Sequence, residues 1–151
     1  MTRINRFVLL CLFSCLSIVA KGQTIKGYSA DQLLDLQTKV EDQVRFFEFL
    51  LNTVGSSETS ARDKDVIIRE SYLKIFRDGK VQVEDDLLLD RKVVTNKDVT
   101  AYFKDIEFFY KNIEFKFKIR EIKPGQKENG DVFFLVSMDR TINAVGLKGE
   151  K

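Results

Sequence analysis

The stretch that most constrains this chain is residues 112–122, where Ile113, Phe115, Phe117 and Ile119 alternate with Glu114, Lys116, Lys118 and Arg120. Successive strand side chains point to opposite faces, so this run has one apolar face and one charged face. A strand of that kind belongs in an antiparallel sheet that is covered on one side and wetted on the other. Lys123-Pro124-Gly125 and Asn129-Gly130 then mark a long hairpin loop, and residues 131–145 read as a long returning strand. The first half of that return is apolar on both faces, whereas Ser137, Asp139 and Thr141 make one face polar farther along.

The cover for the apolar face is supplied upstream. Leu33, Leu36, Val40, Val44, Phe47, Leu51 and Val54 recur at spacings of three and four, with Ser29 as N-cap and Gly55 as the residue that ends the helix. Phe46, Phe49 and Leu50 widen this stripe, which favours burial against a sheet over a narrow coiled-coil seam. Ser60 and Asp63 resemble a capping box opening a second helix over residues 61–77, stopped by Asp78-Gly79. Two helices joined by a short loop make an αα-hairpin. Val81 and Val83 then alternate with polar residues as a short strand, Glu84-Asp85-Asp86 forms an acidic corner, and Val93-Val94 reads as the returning strand. Thr95 or Asn96 caps a third helix that runs to about Phe109 with Val99, Tyr102, Phe103, Ile106 and Phe109 inward. The expected class is α+β, with N-terminal helices packed on an antiparallel sheet.

Residues 1–22 are read as an address. Arg3 and Arg6 precede an apolar run over residues 7–20, too short for the ~20 residues of a spanning helix, so the segment has the form of a signal peptide cleaved after Gly22. Secretion, or export to a periplasm, is the expectation. The rival is a lipoprotein acylated at Cys15, for which Phe13 is bulky where a small residue is usual. Residues 23–29 are a flexible lead-in, and residues 30–151 form a single domain with no membrane span after leader cleavage.

Cys11 and Cys15 both lie in the leader and the chain has no His, so the mature domain has no disulfide, no Cys or His nucleophile pair and no metal site built on those ligands. No cofactor is expected. Of the 25 Lys and Arg, three fall in the leader, which leaves 22 basic against 23 acidic side chains. A near-neutral domain has no electrostatic reason to bind nucleic acid, and the row Lys116, Lys118 and Arg120 lacks exposed aromatics interleaved on its own face.

The order of elements, together with Phe76-Arg77-Asp78-Gly79-Lys80-Val81-Gln82-Val83-Glu84-Asp85 and the helix opening Thr95-Asn96-Lys97-Asp98-Val99, resembles the NTF2-like superfamily of cone-shaped α+β domains, which includes ketosteroid isomerase and the SnoaL-like cyclases. The resemblance implies a curved, cystatin-like cone over residues 30–145. It also implies Asp85 as the candidate general base of an isomerase or cyclase. This chain departs from that pattern: Asp86 stands where a proline is usual, and residues 29–55 hold no tyrosine to serve as an oxyanion donor. The two further strands that the superfamily carries have no counterpart after Val145, so a C-terminally truncated member is expected, with an unpaired strand edge open to dimerisation or to a partner's strand.

These readings give a non-enzymatic binding or interaction domain as the leading expectation, taking a small ligand or a protein partner, with homodimerisation through the sheet and Asp85 catalysis as alternatives. Tyr102, Phe115, Phe117 and Arg140 are the candidate ligand-binding residues. Glu84, Asp85, Asp86 and Asp90 read as a solvated acidic turn, because they lack the glycine and terminal glutamate of a calcium loop. Gly125 to Gly130 has the outer spacing of a phosphate loop, but Asp131 stands where lysine is required.

Overall fold

The computed structural model describes residues 25–87 and 92–146. Residues 1–24, on which the expected cleavage site and Cys15 fall, together with Asp90 and residues 147–151, lie outside the described residues. The element order is α1 (Ala30–Gly55), α2 (Ala61–Arg69), a 3-10 turn (Ser71–Lys74), β1 (Gln82–Glu84), β2 (Asn96–Asp98), α3 (Val99–Phe109), β3 (Tyr110–Gln126) and β4 (Val132–Gly146). This is an α+β fold.

α1 starts at a full capping box: the Ser29 hydroxyl accepts from the Gln32 amide and the Gln32 side chain accepts from the Ser29 amide. Only the C-terminal part of its apolar stripe sinks fully, with Leu50, Leu51 and Val54 buried, while the first half follows the β3–β4 ribbon outward and leaves Leu33 and Leu36 half-covered. Gly55 is the last helical residue and Ser56 the C-cap, so the expected role of Gly55 as a left-handed stop is replaced by another. A Cβ on Gly55 would lie 2.4 Å from Ile113 Cγ2 and 2.6 Å from the Ile113 carbonyl oxygen. Only glycine lets α1 meet the start of β3 this closely.

The second helix is shorter than its sequence pattern. It ends at Arg69, and Glu70 leads into the 3-10 turn, which carries Tyr72 and Leu73. The Ser60 cap is present, accepting from the Asp63 amide at 3.2 Å and donating to the Asp63 carboxylate at 2.8 Å. Val93 and Val94 are exposed and do not form the return strand; residues 96–98 do, pairing antiparallel with Gln82, Val83 and Glu84. The acidic corner therefore sits inside a hairpin whose second arm runs directly into α3.

β3 and β4 pair along their whole lengths, from Tyr110 opposite Gly146 to Gln126 opposite Val132, so the hairpin loop is confined to residues 127–131. The register shifts twice, between Tyr110 and Asn112 and between Ile119 and Glu121. Each shift adds one residue to β3, and the second moves the inward positions from Ile113, Phe115, Phe117 and Ile119 to Ile122 and Pro124. The bulges thus hold the apolar side of β3 against the helices although its sequence changes phase. β4 has no bulge, and its even-numbered residues share the inward face throughout.

The core is Leu50, Leu51, Val54, Ile67, Ile68, Val99, Tyr102, Phe103, Ile106, Ile113 and Phe115, with Phe47 meeting Phe76 edge-on at 5.2 Å. β1–β2 and β3–β4 are separate two-stranded sheets among the described residues, where the sequence suggested one sheet. No helix among them is long and apolar enough to cross a membrane.

Candidate functional site

Two regions carry features that core packing does not account for: the acidic corner and the edges of the β3–β4 ribbon.

At the corner the chain turns inward. Asp85 is 6 % exposed, and its amide donates to the Thr95 carbonyl at 2.7 Å. This corrects the reading of a solvated turn. Lys97, one residue into β2, reaches the Asp85 carboxylate at 2.8 Å and also pairs with Asp105 of α3. Burial works to lower the Lys97 pKa, but the bonds from Asp105 and Asp85 outweigh it and hold the ammonium above its usual 10.5. A buried carboxylate requires such a partner, because desolvating it alone is costly.

Asp86 takes a different set of partners. It accepts from the Tyr102 hydroxyl at 2.8 Å and pairs with Arg140 of β4. The Tyr110 hydroxyl donates to the Leu87 carbonyl, so the two tyrosines bracket the loop. Burial raises both phenols above their usual 10.0, Tyr102 strongly, and the Asp85 charge adds to the shift. Burial draws the Arg140 guanidinium down, partly opposed by Glu84.

Of the candidate ligand-binding residues, Tyr102 and Arg140 meet at Asp86, whereas Phe117 packs on Phe47 and lines a groove between α1 and β3. Arg140 lies directly opposite Phe117 across the ribbon, Tyr102 is 6.5 Å from Phe115 between ring centroids, and Arg140 and Tyr102 share Asp86. Asp86 occupies the place a ligand's acid group would take. Phe115 is 0 % exposed and Tyr102 2 %, which makes them core rather than the lining of an open site. Two surface grooves, one between α1 and β3 and one near the hairpin tip, are lined by neither Asp85, Tyr102 nor Arg140.

The two edges of the ribbon are treated differently. On β3, the Asn52 side chain donates to the Phe115 carbonyl at 2.9 Å and accepts from the Phe115 amide at 2.7 Å, and Glu48 accepts from the Phe117 amide at 2.7 Å. Four residues of helix rise about 6 Å and two residues of strand about 6.7 Å, so Glu48 and Asn52 on α1 match Phe117 and Phe115. α1 thus stands in for a neighbouring strand along this part of β3.

β4 has no such guard. Among the described residues it pairs with β3 alone, and no side chain bonds its outer backbone. Because the Phe115 and Phe117 amides point away from β4, their partners Ile142 and Arg140 form non-hydrogen-bonded pairs and turn their own amides to the open edge. The even-numbered residues of β4 share that orientation. Phe133, Leu135, Met138 and Val145 are all at least 38 % exposed. The only charged residues of β4, Asp139 and Arg140, are tied to Arg120 and Asp86 of their own chain.

Asn52, Glu48, Lys97 and Asp105 are absent from the candidates read in sequence. A signal existed for the first two, a polar pair four residues apart beside an apolar stripe. Compared with protein-family models, curated proteins and solved structures, the chain matches none.

Proposed function

We propose that this chain is a non-enzymatic interaction domain, exported with removal of residues 1–22, that receives another polypeptide as an added strand along β4. The observation that carries the reading is the asymmetry of the ribbon: α1 closes the edge of β3 at Phe115 and Phe117, while among the described residues β4 keeps an open edge whose two charges are paired within the chain. Strand edges left in this state pair with other strands, main-chain bonds giving affinity and alternate side chains giving selectivity. An NTF2-like relationship is part of the proposal. It is supported by two helical segments, a short hairpin and a third helix preceding the long antiparallel pair.

The test is selection of displayed peptides on the full chain, compared with Met138→Lys, which places a charge on the inward face at a residue already 38 % exposed. Extended peptides with alternating apolar residues are expected to bind the parent at least tenfold more tightly than the variant. Peptides that bind both equally would overturn the reading. Export is checked separately by the mass of the mature chain, which should begin at Gln23 rather than at an acylated Cys15.

A second reading, proton transfer by Asp85, draws on its burial beside two tyrosines. Against it, Lys97 at 2.8 Å neutralises the carboxylate that would act as base.

A further inference from the structure

We infer that the strand added to β4 is the β4 of a second copy of this chain, running antiparallel about a twofold axis at Met138. The inference rests on the reading of β4 as an interaction edge, and it names the occupant from the charge pattern of the strand. In an antiparallel pair directly opposed residues share a face, so a twofold axis through any one residue keeps the apolar inward face of one copy continuous with that of the other. The axis that would use all of Val132–Gly146 passes through Asp139 and sets two carboxylates against each other. An axis at Arg140 opposes two guanidinium groups in the same way. Like charges directly opposite are destabilising.

Moving the axis one residue, to Met138, removes the conflict and keeps nearly the full length. Asp139 then faces Ser137, Arg140 faces Val136, Phe134 faces Ile142 and Leu135 faces Thr141 of the second copy. Aromatic and β-branched neighbours such as Phe134 and Ile142 make favourable cross-strand pairs. The even-numbered amides, already turned outward, become the hydrogen-bonded positions on both sides. The one acid and one base of β4 are each held inside their own chain, so the edge offers no free charge to select a charged partner and none to repel its own copy. The result is a continuous four-stranded sheet with α1 of each copy on one face.

The register is tested by disulfide trapping in the full chain with Cys11 and Cys15 replaced by serine. Leu135→Cys and Thr141→Cys are prepared separately and mixed under mild oxidation. The inferred axis brings position 135 of one copy opposite position 141 of the other at about 4.5 Å between Cα atoms. It leaves two copies of either single variant about 20 Å apart at that position, beyond the ~7 Å that a disulfide can bridge. Cross-linking in the mixture and not in either variant alone, with a dimer in sedimentation equilibrium that Met138→Lys dissociates at least tenfold more readily, is the expected result. A dimer without the mixed cross-link overturns the register. A monomer that still binds displayed peptides at β4 overturns self-pairing while the edge reading stands, and a monomer that binds none overturns both.

Discussion

Asn52 bears on how α1 closes β3, and its replacement by alanine has a calculable effect. The side chain makes two bonds to the backbone of Phe115, a residue with no exposed surface. A net hydrogen bond contributes about 1 kcal/mol, and a buried amide or carbonyl left without a partner costs about 1–3 kcal/mol. Asn52 itself is half-buried, so water reaches part of the space that alanine would open. The expected loss is therefore about 2–3 kcal/mol, read as a lower urea midpoint with an unchanged slope. Asn52→Asp keeps an acceptor for the Phe115 amide but sets a carboxylate against the carbonyl, and should cost at least as much. Glu48→Gln keeps the acceptor at Phe117 and should cost under about 1 kcal/mol. A loss below about 0.5 kcal/mol for Asn52→Ala would refute the claim that α1 substitutes for a strand.

Three further outcomes follow from the same geometry. Lys97→Met removes the ammonium that pairs with the Asp85 carboxylate and should destabilise by about 3 kcal/mol, the low end for a broken buried pair because the Lys97 side chain is 22 % exposed; adding Asp85→Asn should restore part of the loss, as a double-mutant cycle would show. Tyr102, Tyr110 and Lys97 all have folded pKa values raised above their unfolded ones, so their stabilising contribution is complete below about pH 10 and falls as pH rises toward the folded values. Unfolding measured between pH 9 and pH 12 should show stability falling with pH, and Tyr102→Phe should flatten the slope; a slope unchanged by that substitution would contradict the assignment. Gly55→Ala drives a methyl against the Ile113 backbone and should cost about 1–3 kcal/mol by thermal or urea unfolding.

Much of this arrangement is legible in the residues. The period-two run from Ile113 to Ile119 and the three-and-four spacing from Leu33 to Val54 predict a helix-covered ribbon, and that is what forms. The residues that mislead do so for physical reasons. Val93 and Val94 have strong strand propensity, but pairing of Gln82 with Asp98 fixes the return arm two residues later, where polar side chains occupy a ladder set by tertiary contacts. Residues 70–77 keep a helical apolar pattern, yet the chain tightens into a 3-10 turn. Asp85 reads as a surface acid because carboxylates almost always are. Its burial depends on Lys97 and Asp105, whose pairing exists only once β2 runs into α3. The edge guards Asn52 and Glu48 are likewise invisible until helix and strand are superposed, since the match lies between a helical rise and a strand rise on different elements.

Amide hydrogen exchange at single-residue resolution compares the two edges of the ribbon in one experiment. The Phe115 and Phe117 amides are expected to be protected at every protein concentration, being bonded within the chain. The outward amides of β4, at Val136, Met138, Arg140 and Ile142, are expected to be protected in concentrated protein and to lose that protection on dilution. Fast exchange at Phe115 and Phe117, or at the β4 amides at every concentration, would contradict this reading of the ribbon.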